Sequence, residues 1–219
     1  MSATQFEIDQ KTPLPIVTTA ESCKGRTYIV TGANTGLGYE CAKHFVRLSS
    51  HKVILAVRSI SKGEAAKERI EAETGVKGVA EVWELDLASY DSIKAFAKKV
   101  QELDRIDAIV ENAAVALLHW SKSEELETTL TVNVTGTLLL TVLVLPKLQE
   151  SAKKFGILPH ISIIGSGVAF QAKGELEKIN GNILDGLNTE SFGMENRYAI
   201  PQFRIRRRRM LKAMKVPDL

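Results

Sequence analysis

The run Thr27-Tyr28-Ile29-Val30-Thr31-Gly32-Ala33-Asn34-Thr35-Gly36-Leu37-Gly38 decides the fold. Four strand-forming residues, Thr27 to Val30, lead straight into a glycine-rich turn, and a helical pattern opens at Leu37. Glycines at 32, 36 and 38 let the backbone turn tightly and let a diphosphate approach the start of that helix. Free N–H groups and the helix dipole favour negative charge there. A turn of this kind is informative when it joins the first strand and first helix of a βαβ unit, so its neighbours matter.

Those neighbours alternate. After the helix from Leu37 to Leu48 come a strand at Val53 to Val57, a helix from Gly63 to Glu73 and a strand at Val79 to Leu85. A helix from Ser89 to Leu103, a strand at Ile106 to Val110, a long helix from about Ser123 to Lys154 and a strand at His160 to Ile164 continue the repeat. Strands such as Val53-Ile54-Leu55-Ala56-Val57 have no polar alternate face, so they belong in a parallel sheet covered on both sides. The expected fold is therefore α/β: a doubly wound, Rossmann-like parallel sheet in three α/β/α layers, with its ligand crevice beyond the strand C-termini.

Composition sets the outer limits. At 219 residues and 44% apolar, the chain can build one full core, and 25% charged residues place it among ordinary globular sequences rather than disordered or collagen-like ones. Cys23 and Cys41 are too few for a disulfide framework or a four-ligand zinc site and are read as reduced thiols. The longest apolar run, Leu138 to Pro146, is about half of what a bilayer needs, and the N-terminus is acidic and polar, so the expectation is a cytoplasmic protein with no membrane span. Seven basic residues from Arg204 to Lys215, against Asp218, make residues 204–219 a +6 tail and leave residues 1–203 at −3 of the overall +3. Without aromatic interleaving or a nucleic-acid fold, that tail is not read as a nucleic-acid site.

The spacing Gly-x-x-x-Gly-x-Gly after Thr31 resembles the cofactor loop of the short-chain dehydrogenase/reductase family, and further matches follow in order. Gly32, Asn34, Gly36, Leu37 and Gly38 then correspond to the diphosphate loop. Where an NAD-specific member would place a carboxylate after the second strand, this chain has Arg58, with Lys62 close behind. An arginine there accommodates a 2′-phosphate, so the resemblance implies NADP; the plainer reading is that both residues solvate a loop before a helix. Asp86 and Leu87 resemble the adenine-edge position. Glu111-Asn112-Ala113-Ala114 stands where the family usually has Asn-Asn-Ala-Gly, so Asn112 and Ala113 match while Glu111 and Ala114 depart, the latter adding a methyl beside the expected ribose.

Asn133, in an otherwise apolar helical segment, resembles the family's relay asparagine, though an amide bonded to nearby backbone for structural reasons is equally part of that pattern. Ser166, just past the fifth strand, matches the serine that bonds the substrate carbonyl, whereas Ser162 within the strand is expected to be packed. Asn196-Arg197-Tyr198-Ala199 resembles the start of the catalytic Tyr-x-x-x-Lys motif in the long-loop subset, retinol-dehydrogenase-like or of the fungal secondary-metabolism type. The lysine position, however, holds Gln202, with Pro201 before it.

Three regions follow: a surface lead-in at 1–24, an incomplete dinucleotide-binding domain at 25–203, and the basic tail at 204–219. The abrupt loss of pattern after Tyr198 is read as a truncation or altered frame. The resemblance implies an NADP-dependent oxidoreductase that interconverts a carbonyl and an alcohol on a small, lipophilic substrate. A homodimer through the long fourth helix goes with it. The alternative is a catalytically impaired pseudo-enzyme that retains at most nucleotide binding, because a neutral amide cannot supply the charge that tunes Tyr198.

Overall fold

The computed structural model describes residues 11–13, 17–168, 174, 179, 181–195 and 197–199. In chain order they form a single turn α1 (Ala20–Cys23), β1 (Thr27–Thr31), α2 (Gly36–Arg47), β2 (Lys52–Val57), α3 (Ile60–Thr74), β3 (Ala80–Glu84) and α4 (Tyr90–Gln101). There follow β4 (Ala108–Glu111), a small hairpin of β5 (Lys122–Ser123) and β6 (Leu126–Glu127), the long helix α5 (Thr128–Phe155), β7 (His160–Ile163) and a short α6 (Ile183–Leu187).

Five strands pair in parallel in the order β3-β2-β1-β4-β7. The register sets Ile29 beside Ile54 on one side and Ile109 on the other. Successive β1 residues then divide between two cores, as strand alternation requires. Ile29 packs with Trp83, Ile93, Phe96, Leu140 and Val144, which belong to β3, α4 and α5. Val30 packs with Tyr39, Ala42, Val46, Ala66 and Ile70 from α2 and α3. Helices therefore cover both faces, and the expected three-layer, doubly wound sheet is the one observed.

Local chemistry sets the helix ends. The side chains of Ser59 and Ser89 accept from the backbone N–H groups of Lys62 and Ser92 at the starts of α3 and α4, and Gly75 closes α3 at φ +72°. The strand order reverses between β1 and β4, which opens a crevice above their C-terminal ends.

Three expectations need correction. The lead-in does not simply run over the surface: Thr19 and Ser22 cap α1 reciprocally, and Cys23 is fully buried, its sulfur 3.6 Å from the Tyr28 hydroxyl. The long helix starts at Thr128 rather than Ser123, because Glu124 takes φ +54° and closes the β5–β6 hairpin first. Ser162 is exposed rather than packed, since β7 covers only alternate residues. After residue 170, Asn182 caps α6 through Leu184, and a 3₁₀ turn follows at Glu190–Phe192. Gln202, at the position where the family motif has lysine, and the basic tail lie outside the described residues.

By length and composition α5 could cross a membrane. More than half of its apolar window is buried, and Leu140, Val144 and Leu148 form part of the core beneath the sheet.

Candidate active site

The glycine turn is built around β4. Gly32 adopts φ +66°, and a side chain there would press on Ala113. A Cβ on Gly38 would stand 2.5 Å from the Gly32 carbonyl oxygen and the Asn112 side-chain nitrogen, so only glycine lets α2 approach that closely. Asn112 closes the junction from the other strand: its amide donates to the Thr31 carbonyl at 3.0 Å. The backbone N–H groups of Asn112 and Ala113 both reach the Thr31 hydroxyl, at 3.0 and 2.9 Å.

Above this junction lies a cleft of about 220 Å³ lined by Gly32, Asn34, Ala56, Arg58, Ser59, Lys62, Leu85, Asp86, Leu87, Ala113, Ala114, Val115 and Val132. Seven of the residues singled out from the sequence therefore share one wall: Gly32, Asn34, Arg58, Lys62, Asp86, Leu87 and Ala113. Gly36, Leu37, Gly38 and Asn112 stand outside that lining. Gly38 and Asn112 hold its floor, Gly36 begins α2, and Leu37 points away, 76% exposed.

The electrostatics suit an anion at one end. Arg58 and Lys62 are exposed on the rim, beside Ser59. Thr35 begins α2 without any side-chain cap, in contrast to Ser59 and Ser89, so the first-turn N–H groups of α2 keep their donor capacity. At the other end, Leu85, Leu87, Val115 and Val132 supply apolar walls.

Asn133 is almost fully buried and spends its side chain on one residue. Its oxygen accepts from the Val115 N–H and its nitrogen donates to the Val115 carbonyl, both at 2.8 Å. The backbone reading of this amide is thus the observed one, and its effect is to clamp a wall residue of the cleft. Ser166 is half-buried beyond β7, and its hydroxyl accepts from the Val168 N–H at 3.3 Å. Tyr198 is half-buried between two buried residues, Arg197 and Ala199.

Two buried groups had little signal in the sequence. Glu111 ends β4 at 3% exposure, where burial pushes its carboxyl up to about 8 despite the Thr141 hydroxyl 2.9 and 3.0 Å from its two oxygens. A protonated Glu111 donates to Thr141, which in turn donates to the Thr137 carbonyl at 3.0 Å, so every member of the chain is satisfied. Arg197 is the other; it is 3% exposed and lies 3.7 Å from the fully buried carboxylate of Glu127. The departure at position 111 was visible as a motif mismatch, whereas Val115 and Val132 looked like any core valines.

The short chain dehydrogenase family model matches residues 26–172, two thirds of the sequence and the whole sheet. The chain belongs to the short-chain dehydrogenase family. Among curated relatives, the short chain dehydrogenase/reductase dmxR8 of Cryptosporiopsis sp. is 47% identical over 146 residues, which is 66% of this chain and 45% of that protein. The short chain dehydrogenase atnD of Emericella nidulans is 39% identical over 191 residues, 86% of this chain and 59% of that one. This short-chain dehydrogenase thus spans about half the length of these relatives. Among solved structures, a short-chain dehydrogenase from Sphingobium yanoikuyae in complex with NADPH superposes with a TM-score of 0.60 at 25% identity, covering 81% of this chain and 61% of that one.

Proposed function

We propose that this short-chain dehydrogenase binds NADP(H) in the cleft above β1 and β4 and serves a reaction that interconverts a carbonyl and an alcohol. The observation that carries the reading is the placing of Arg58 and Lys62 with Gly32 and Asn34 of the glycine turn on a single cleft. The donor set fits the cofactor: N–H groups at the turn for the diphosphate, two cations and Ser59 for a 2′-phosphate, and apolar walls for the adenine. The relative from Sphingobium yanoikuyae, crystallised with NADPH, supports the choice.

Bound NADPH supplies a hydride. The chain's own residues would orient and protonate: the Ser166 hydroxyl donates to the carbonyl oxygen, the Tyr198 phenol hands over its proton, and Asn133 fixes Val115 beside the site. We read the substrate as a small, lipophilic, secondary-metabolite-type molecule, as the family resemblance implies. The free thiols of Cys23 and Cys41 suit a reducing cytoplasm. A second reading, a nucleotide-binding chain without turnover, rests on Gln202 at the lysine position.

Calorimetry tests the proposal directly. NADPH should bind more tightly than NADH, and Arg58→Ala should weaken NADPH about 10- to 100-fold while leaving NADH nearly unchanged, the range of one charged hydrogen-bonding group. No heat with either coenzyme overturns it. Tight NADPH binding with no turnover of a carbonyl panel favours the second reading.

A further inference from the structure

We infer that Arg197 is a positioning residue that fixes Tyr198, by tying the chain before it to the N-terminal end of α5. This rests on the reading of Tyr198 as the proton-handling group.

The guanidinium of Arg197 turns back on its own loop. Its Nε donates to the Gly193 carbonyl at 2.6 Å, and its two terminal nitrogens donate to the carbonyls of Leu187 and Thr189. One side chain thereby bonds three carbonyls, at the end of α6 and on either side of the following 3₁₀ turn, although that of Thr189 also accepts from the Phe192 N–H at 3.3 Å. A lysine or glutamine could not, since the arrangement uses the planar fork of a guanidinium. The Phe192 ring lies 5.5 Å from the same group.

Burial of that cation needs a counter-charge, and Glu127 provides it. The Glu127 carboxylate is fully buried at the start of α5 and accepts from the Thr129 N–H and hydroxyl, both at 2.9 Å, and from the Leu130 N–H at 3.2 Å. It is therefore held in place before Arg197 arrives. Burial pulls the Arg197 guanidinium below its usual range, and the Glu127 carboxylate opposes that shift.

A second tie runs through Asn188. Its side-chain oxygen accepts from the Glu127 N–H at 2.8 Å, and its nitrogen donates to the Glu125 carbonyl at 3.0 Å. Leu130, Leu187 and Ala199 form a small buried cluster between the same two segments. Tyr198 lies between the two anchored neighbours Arg197 and Ala199, so its backbone is located by α5. A polar loop of this length would otherwise leave a proton donor unplaced, and proton transfer tolerates little misplacement.

The test uses the full chain labelled with 3-fluorotyrosine. The sequence has four tyrosines, Tyr28, Tyr39, Tyr90 and Tyr198, and Tyr198→Phe assigns the fourth fluorine signal. In the parent, the Tyr198 signal should be single and displaced from its position in denatured protein. Arg197→Gln should collapse that signal alone onto the denatured position, with the other three unmoved, and Asn188→Ala should shift it part of the way. A structural role elsewhere in the domain would move the others instead.

If Arg197→Gln unfolds the whole chain, Asn188→Ala carries the test on the same signal. A Tyr198 signal already at the denatured position in the parent, or unmoved by both folded variants, overturns the inference. NADPH calorimetry on the parent reports separately on the functional reading, because neither Arg197 nor Asn188 lines the cleft.

Discussion

Glu111 shows how one substitution inside a motif changes the physics of a site. In β4 it is parallel to β1 and β7, beneath Asn112 and Ala113, and its carboxyl is buried against Thr141. Burial raises its folded pKa to about 8, whereas the unfolded value is 4.5. Below pH 4.5 both states hold the proton and the group is neutral in its effect. As pH climbs from there to about 8 the unfolded chain gives its proton up first, so stability falls across this window and levels off above it. At pH 7 the loss is on the order of 3 kcal/mol. Glu111→Gln keeps the amide-sized donor and cannot ionise, so urea midpoints at pH 5 and pH 8 should differ much less in the variant than in the parent. Equal pH slopes would mean that Glu111 is ionised in the folded protein. At this scale the sequence was informative about glycines and cations, which act through backbone approach and charge. It was silent on Arg197, whose partners are carbonyls 4 to 10 residues back and a glutamate 70 residues away.

At the scale of elements, the stretch between β4 and α5 was the hardest to read. Glu124 and Glu125 look helical by propensity, but the Glu127 carboxylate caps the helix from its own start, so the six residues before Thr128 form a hairpin. The helix then widens into a π turn over Thr131–Gly136. That run is rich in β-branched residues, and the hydroxyls of Thr135 and Thr137 bond back to the carbonyls of Thr131 and Val132 at 3.1 and 3.0 Å. The widened turn sets Asn133 against Val115. It also brings Gly136 against the strand-to-helix loop after β3, where a Cβ would stand 2.3 Å from the Leu87 carbonyl oxygen. Gly136→Ala must therefore push α5 or Leu87 aside. The expected cost is about 1–3 kcal/mol in a urea titration, with weaker NADPH binding by calorimetry because Leu87 and Val132 are cleft walls. Unchanged affinity at reduced stability would show that the loop yields without disturbing the cleft.

For the whole molecule, legibility followed burial. The alternation up to Ile164 could be read because both faces of the central strands are covered, leaving no polar residue to blur the pattern. After it, segments are held by side-chain-to-backbone bonds such as those of Asn188 and Arg197, which have no period. The same logic identifies the least protected part of the sheet. β7 pairs with β4, and among the described residues no strand lies on its other side. Its His160 and Ser162 are exposed, and Ile164 just beyond it is 43% exposed. A strand edge with a bare apolar residue recruits further strands, whereas a lysine there resists pairing. The exposed Val142 on α5 offers a competing route, helix against helix, with 44% exposure. The edge is the stronger drive because, among the described residues, no strand pairs with its outer backbone donors and acceptors, and apolar surface is exposed beside them. Sedimentation velocity over a concentration series should show self-association of the parent that Ile164→Lys suppresses and Val142→Glu leaves largely intact. The opposite ranking would assign the contact to the long helix.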